Sequence, residues 1–561
     1  GGGGPTAEML ETQRRLGHNL PSVPKVKPSF AKAYLEDLEA RLKASGRELP
    51  YWVGEIPLEF HRGTLTTMAL IKKLNRKAEF ALLNTEFLAA CDRLMRGEKA
   101  ERPDLESSWK TLLKNQFHDI LPGSSIEAVY PESEKDYRGV LASCEKISRE
   151  TLAALSEDTE IPEDGVLVYN PHAFELPKGY AQSLNNAETV PPLGRALLTK
   201  EQKPSDEVLR FDPETLEAEN KFFIIRFDAS GRILSLRDKE ARRELIPEGK
   251  KANNLLLLED RPLEYEAWNT ERYADDTIYE IEADEPLRLA EENERFLRLS
   301  FSARFGRSEI RQVITIYRER RLIEFVSEAD WHEDRLFLKT DFPLALQSET
   351  GQCDIQFGNI SRNLHENTSW DQAHFEVLAH HWADISEGAY GASVINDCKY
   401  AYKLRQGLIR LSLLRAPKAP NPMADMGRHR FRYALYPHQG HWRDSRLIEE
   451  AEVFNRPCLE IPVKKQPGKL PASFSLLELS ERGIFCSAVK PAESGEAALI
   501  VRLYESLGST IRCEMKVHEK ISGLSLCDLA EVPVDDLPLK EGRTELNFTP
   551  YEVKTLKLDL A

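Results

Sequence analysis

The stretch Asn115-Gln116-Phe117-His118-Asp119-Ile120-Leu121-Pro122-Gly123-Ser124-Ser125 joins two periodic helical segments and sets a histidine beside a carboxylate where a helix has to stop. Upstream, Pro103 and Asp104 suit a helix start, and Trp109, Leu112, Leu113, Gln116 and Phe117 fall at the spacing of one buried helical face. His118 and Asp119 are therefore expected on the last turn. Pro122 lacks an amide hydrogen and pushes Leu121 out of the helical region, while Gly123 tolerates backbone angles closed to other residues. A His-Asp pair held at such a point can ligate a metal, hydrogen-bond a polyol or relay a proton. Equally, His118 can be a core histidine bonded to a carbonyl, with Asp119 a surface charge, and one dipeptide does not choose between these readings.

Working outward, a long helix is expected from Thr66 to Arg96, with Met68, Ile71, Leu74, Ala78, Leu82, Leu88, Cys91 and Met95 on one stripe and Gly97 as its stop. A third helix begins near Glu132 and repeats apolar residues at Tyr137, Val140, Leu141, Cys144, Ile147, Thr151 and Leu155. Each stripe needs a partner, so residues 51–160 are assigned to an antiparallel three-helix bundle. In residues 1–50, Gly1-Gly2-Gly3-Gly4-Pro5-Thr6 enters a helix at Ala7, and a second helix, capped by Ser29, runs to about Ala44 before Ser45-Gly46.

Beyond Glu160 the pattern turns to strands. Val166 to Pro171 is a short one, and Lys221–Asp228 with Gly231–Asp238 reads as a hairpin. Further strands are expected at Leu297–Phe305, Ile310–Tyr317, Arg321–Ser327, Phe337–Leu344, Gly391–Tyr402, Ile409–Leu414 and Phe431–Tyr436. Residues 161–561 thus form two or three β-sandwich domains. The fold class is α+β and multidomain, an antiparallel three-helix bundle followed by large antiparallel β-sandwich domains.

The 561 residues suit about three or four domains at ~150 residues each. A net charge of -16 disfavours nucleic acid, whose phosphates call for a clustered basic surface. No run of 18 apolar residues is present, so no membrane partner is expected, and the first residues do not read as a signal peptide. Eight cysteines lie far apart without a C-x-x-C pair, the usage of reduced thiols in a cytoplasmic protein. The sequence has no Walker loop, G-x-S-x-G elbow or H-E-x-x-H motif.

Several blocks together resemble the bacterial-type glycoside hydrolase family 38 α-mannosidases. They are Gly1 to Thr6, Trp52-Val53-Gly54-Glu55, His61-Arg62-Gly63-Thr64 and above all Asn115 to Ser125. Downstream, Val168-Tyr169-Asn170-Pro171, Phe357-Gly358-Asn359 through Asp371, Trp382-Ala383-Asp384, Asn396 to Tyr400 and Leu413-Leu414-Arg415 continue the likeness in the family's order. The resemblance implies retaining hydrolysis of terminal mannosides at a site on an N-terminal α/β barrel, with a divalent metal, usually zinc. His118 matches the family's late histidine ligand, and Asp119 the neighbouring aspartate that contacts sugar hydroxyls. Animal relatives have His-His-Asp where this chain has Phe117-His118-Asp119, which leaves the ligand position intact.

The same resemblance implies that residues 1–50 are the end of the barrel and a linker. The early His-x-Asp ligands and the nucleophile have no counterpart here, so no catalytic residue is assigned. A mannose-containing oligosaccharide and the N-terminal barrel are the implied partners; oligomeric state is left open.

His61 and Arg62 are candidates to line the same cleft, or else belong to a solvated capping loop. His380-His381-Trp382 and Trp331-His332-Glu333-Asp334 resemble ligand clusters, but neighbours on a strand point to opposite faces, which favours structural roles. Two further readings stay open. The chain is an inactive carbohydrate-binding or scaffolding piece, with Trp268, Trp331, Trp370 and Trp382 stacking on sugars, or one half of a split enzyme.

Overall fold

Two units follow one another, Gly1–Pro57 and Leu58–Ala561, and the structure, a computed structural model, describes residues 4–18, 21–51, 60–100, 102–177, 179–180, 189–199 and 208–561. In the first unit, α1 (Ala7–Leu16) starts where the Thr6 hydroxyl accepts from the Met9 amide, and α2 (Ala31–Ser45) ends at Gly46 in the left-handed region. Ser29 is not its cap; Phe30 holds that position without a side-chain bond. Gly1–Gly3 and the Trp52-Val53-Gly54-Glu55 motif lie outside the described residues.

The second unit opens with α3 (Ala69–Arg96), α4 (Glu106–Asn115) and α5 (Val129–Glu157). α3 starts later than its periodicity suggests because Arg62–Leu65 close a separate 3₁₀ turn and Met68 adopts φ 57°. The apolar stripe picked out on α3, from Met68 to Met95, is buried throughout. Tyr137 donates to Asn75 Oδ1 (3.1 Å) and Thr85 meets Ser148 (3.0 Å), so α3 and α5 run side by side in one direction. Trp109 Nε1 donates to Glu86 (2.9 Å) and Gln116 Nε2 to Asn75 (3.2 Å), which sets α4 antiparallel to α3.

The expected face of α4 is only partly right. Ser108, Leu112 and Asn115 point inward, whereas Leu113 and Phe117 are 59% and 61% exposed. A ten-residue helix laid against two long ones buries a narrow stripe.

Strands begin at Gly165–Asn170 and build a nine-stranded sheet, a six-stranded sheet, two five-stranded sheets, and smaller sheets of four and three strands, with antiparallel pairing throughout their ladders. The largest core includes Leu255, Leu257, Phe325, Leu338, Phe342, Val394, Leu411 and Tyr433, drawn from the nine- and six-stranded sheets. A second surrounds Leu499, Val501, Leu503, Met515, Phe548 and Leu558 of the C-terminal sandwich, and takes in Phe87, Leu88, Cys91 and Leu94 of α3. Two short helices, α6 (Ser369–Ala373) and α7 (Leu447–Asn455), interrupt the strands. The strand expected over Gly391–Tyr402 is two, Tyr390–Asn396 and Ala401–Arg405. Asn396 Oδ1 accepts from the Cys398 and Lys399 amides (3.0 and 2.7 Å), and that bond turns the chain.

All eight cysteines are free thiols. Among the described residues no helix is long and apolar enough to cross a membrane.

His172, just past the first strand, is buried, and its Nε2–H donates to the Arg456 carbonyl (2.8 Å). Burial pulls its pKa from 6.5 to about 3. Between those values the unfolded chain takes up a proton that the native imidazole refuses, so stability falls as pH drops, by about 1.4 kcal/mol per unit for this group. His172→Gln, which keeps a donor, should flatten the acid limb of a denaturation-versus-pH curve; an unchanged slope would remove His172 from the account.

Candidate functional site

The loop ahead of α3 carries the first part of the site. The Gly63 amide donates to Trp268 O (2.8 Å), and the His61 amide to Asn269 Oδ1 (3.0 Å). At the start of α3, the Met68 and Ala69 amides have no intrahelical partner, and the Asp425 carboxylate accepts both (2.8 and 2.7 Å). Arg415 is wholly buried beside Asp260, with Nη2–Oδ2 at 2.6 Å, and also donates to Thr67 Oγ1 (3.1 Å) and Asn269 O (2.7 Å).

Lys72, one turn into α3, fixes the His118 turn to this platform. Its buried ammonium donates to the carbonyls of Thr67 (2.5 Å), Leu121 (2.9 Å) and Pro122 (3.2 Å), and burial lowers its pKa to about 7. Gly123 then passes close beneath Thr67. Its φ is +89°, and a Cβ there would lie 2.5 Å from Thr67 O. Gly123→Ala should cost at least ~2 kcal/mol from left-handed strain plus displacement of that carbonyl. Urea denaturation checks this, and a loss under ~0.5 kcal/mol would contradict the close approach.

His118 and Asp119 do not ride the last helical turn. α4 ends at Asn115, and the pair sits in the following turn, closed by the Ile120 amide donating to Phe117 O (2.9 Å). The Asp119 carboxylate is held from behind: Ser124 Oγ donates to Oδ1 (2.8 Å), and the Ser124 amide to Asp119 O (3.1 Å). Oδ2 faces His118 Nε2 at 3.3 Å. The His118 side chain is 75% exposed, which removes the core-histidine reading. Leu113, Phe117 and Ile126 are exposed on the same stretch of chain. Among the described residues, no group of three or more ligating side chains includes His118.

The other candidates separate. His61 is exposed with φ 73°, while Arg62 is buried with its guanidinium 4.8 Å from the centre of the Phe375 ring. Trp331 and Trp382 are core residues and cannot stack on a sugar; Trp370 is exposed and Trp268 half-buried. Trp331 to Asp334 disperse. His332 Nε2 meets Asp330 (2.9 Å), Glu333 caps the Arg307 amide (2.7 Å) and Asp334 pairs with Lys418 (2.9 Å).

His380 and His381 require a correction. They occupy a bend between the strands Val377–Leu378 and Trp382–Ser386, not a strand, so the alternation of a pleat does not apply. Their rings lie 4.0 Å apart and both Nδ1 atoms approach Asp354 Oδ2, at 3.8 and 3.1 Å. Sequence reasoning missed Asp354, which has no distinguishing neighbour in the chain.

Residues 59–155, which hold the His118 turn, match the family profile of the alpha mannosidase middle domain. Residues 218–423 match the glycosyl hydrolases family 38 C-terminal domain, and 483–556 the family 38 C-terminal beta sandwich domain. The chain belongs to glycosyl hydrolase family 38, whose middle and C-terminal domains it carries.

Alpha-mannosidase 2C1 of Homo sapiens is 36% identical over 595 residues, across 100% of this chain and 55% of the human protein. Alpha-mannosidase G of Dictyostelium discoideum is 31% identical over 636 residues, across 99% of this chain and 57% of its own length. The chain thus spans just over half the length of these curated relatives. The crystal structure of an alpha-mannosidase from Enterococcus faecalis V583 shares the fold, with a TM-score of 0.76 at 16% identity over 95% of this chain and 72% of that one.

Proposed function

We propose that this chain is the metal-completing and substrate-contacting portion of a retaining α-mannosidase that hydrolyses terminal α-mannosides. The remaining ligands and the carboxylate nucleophile are then supplied by polypeptide outside this sequence, the catalytic barrel. The observation that carries the proposal is the exposed His118 imidazole, presented on a turn locked to α3 by Lys72 and flanked by exposed apolar side chains. Family membership, and relatives named as alpha-mannosidases with nearly half their length unmatched, support the same reading.

The donor set fits one position of a divalent site. A neutral imidazole at an open surface is a competent zinc ligand, and one imidazole without companions does not hold zinc on its own. The bound metal, zinc in this proposal, would grip vicinal sugar hydroxyls and orient the ring for attack.

In this reading the chain's own residues perform three tasks. His118 presents a lone pair, Asp119 accepts a hydrogen bond from a mannose hydroxyl while Ser124 fixes its rotamer, and Phe117 and Leu113 help exclude water where the barrel docks. His61 and Arg62 belong to the proposed substrate contacts, His61 by its exposed ring and Arg62 by bracing the loop on Phe375. A cytoplasmic location is part of the proposal, supported by the eight free cysteines.

The test is turnover of p-nitrophenyl α-mannoside with added zinc or cobalt. The expected result is no turnover by this chain alone and restored turnover when the polypeptide encoded upstream is supplied. Hydrolysis by this chain alone would overturn the assignment of the nucleophile elsewhere.

A further inference from the structure

We propose that Asp354, His380 and His381 form a second, structural binding site for a divalent transition metal of the zinc class, remote in sequence from the His118 turn and independent of its assignment. One donor atom from each residue lies within 4.8 Å of the other two. Bonds of ~2.0–2.1 Å to a tetrahedral ion place donors roughly 3.3 Å apart. The observed Asp354 Oδ2 to Nδ1 separations, 3.1 Å for His381 and 3.8 Å for His380, bracket that value. The third side, between the two histidine donors, is no longer than 4.8 Å.

The donors are held from behind. Arg76 of α3, itself buried, donates to His380 O (2.9 Å), and Asn396 Nδ2 donates to the same carbonyl (3.0 Å). The Asn396 amide donates to His381 O (2.8 Å), and the His380 amide to Asp354 O (2.9 Å). Phe80 packs against the His381 ring and Tyr400 against that of His380. Side-chain exposures of 18%, 12% and 13% for His380, His381 and Asp354 admit an ion but not a sugar.

One polar atom here lacks the partner that burial demands. His381 Nε2 is buried with no hydrogen-bond partner. Asp354 Oδ2 accepts from the His381 amide (2.9 Å), and among the described residues no lysine or arginine lies within ion-pair distance of it, Arg76 acting only from farther off. A divalent cation held by the three donor atoms would place a positive charge directly against this carboxylate, which no side chain does. Two imidazoles and one carboxylate suit zinc, cobalt or nickel better than calcium or magnesium, and three protein donors leave a position for water. Since Arg76 and Phe80 come from α3, the ion would clasp that helix's neighbourhood to the nine-stranded sheet.

The test uses the whole chain, loaded with zinc, dialysed and assayed by elemental analysis, with thermal unfolding followed in parallel. Wild type and His118→Ala should each retain about one zinc and melt higher with it. Asp354→Asn and His381→Gln should bind at least ~100-fold more weakly and lose the shift, since removing outer-shell partners alone costs about 10–100-fold. No retained zinc in wild type, or retention that His118→Ala abolishes and the other two spare, overturns the proposal. If both ligand variants fail to fold, the cobalt-loaded wild type decides. Intense visible bands of a four- or five-coordinate ion support the site, and the weak spectrum of the hydrated ion refutes it.

Discussion

In the proposed assembly with a catalytic barrel, His118→Ala is expected to strip the metal and lower mannoside hydrolysis by more than ~100-fold, because even outer-shell partners of a metal ligand cost about 10–100-fold when removed. The side chain carries no load in the fold. It is 75% exposed, and the bonds that shape its turn run through Lys72, Ser124 and the backbone. Unfolding of the isolated chain should therefore stay within ~0.5 kcal/mol of wild type, while metal content and turnover collapse together. Loss of stability with metal retained would make His118 a structural residue and sink the proposed role. Asp119→Asn keeps the Ser124 contact and should spare the metal while weakening substrate binding.

The largest expected loss of stability comes from Arg415→Leu. Its guanidinium is wholly buried and meets Asp260, Thr67 and Asn269 at once. Removing it leaves the Asp260 carboxylate buried and unmatched, an uncompensated charge that costs about 3–5 kcal/mol. The partner variant Arg415→Leu with Asp260→Leu should recover part of that loss, and urea denaturation of the four proteins gives the coupling directly. Strict additivity would mean that the ion pair is not what holds the 61–67 loop. Gly63→Ala probes the same spot, since a Cβ there would meet Asn269 O at 2.7 Å as well as the guanidinium.

Much of this architecture is legible in local pattern. Periodicity gives the α3 stripe from Met68 to Met95, proline and glycine give the turn at Pro122-Gly123, and alternation gives most of the long strands. What local pattern misses is distant support. Asp425 caps α3 from some 350 residues away, and Arg415 braces the loop before it. Lys72 reads as an ordinary helix-surface lysine until the Leu121 and Pro122 carbonyls are seen above it.

The same limit explains the two misjudged features. Leu113 and Phe117 fit an apolar period, yet period alone does not say how wide a stripe the neighbours can cover. His380 and His381 were separated by a pleat that does not exist, because the chain bends there and brings both rings toward one carboxylate.

α3 is shared property. Its first half packs Ile71, Leu74 and Ala78 with α4 and α5, and its second half gives Phe87, Leu88, Cys91 and Leu94 to a sandwich built from the last stretch of the chain. During synthesis the second half of α3 waits for partners such as Leu546, Phe548 and Leu558 far downstream, so bundle and sandwich mature together. The His118 turn, fixed to α3 through Lys72, inherits that late schedule, and a premature stop codon far downstream of His118 would still disturb it.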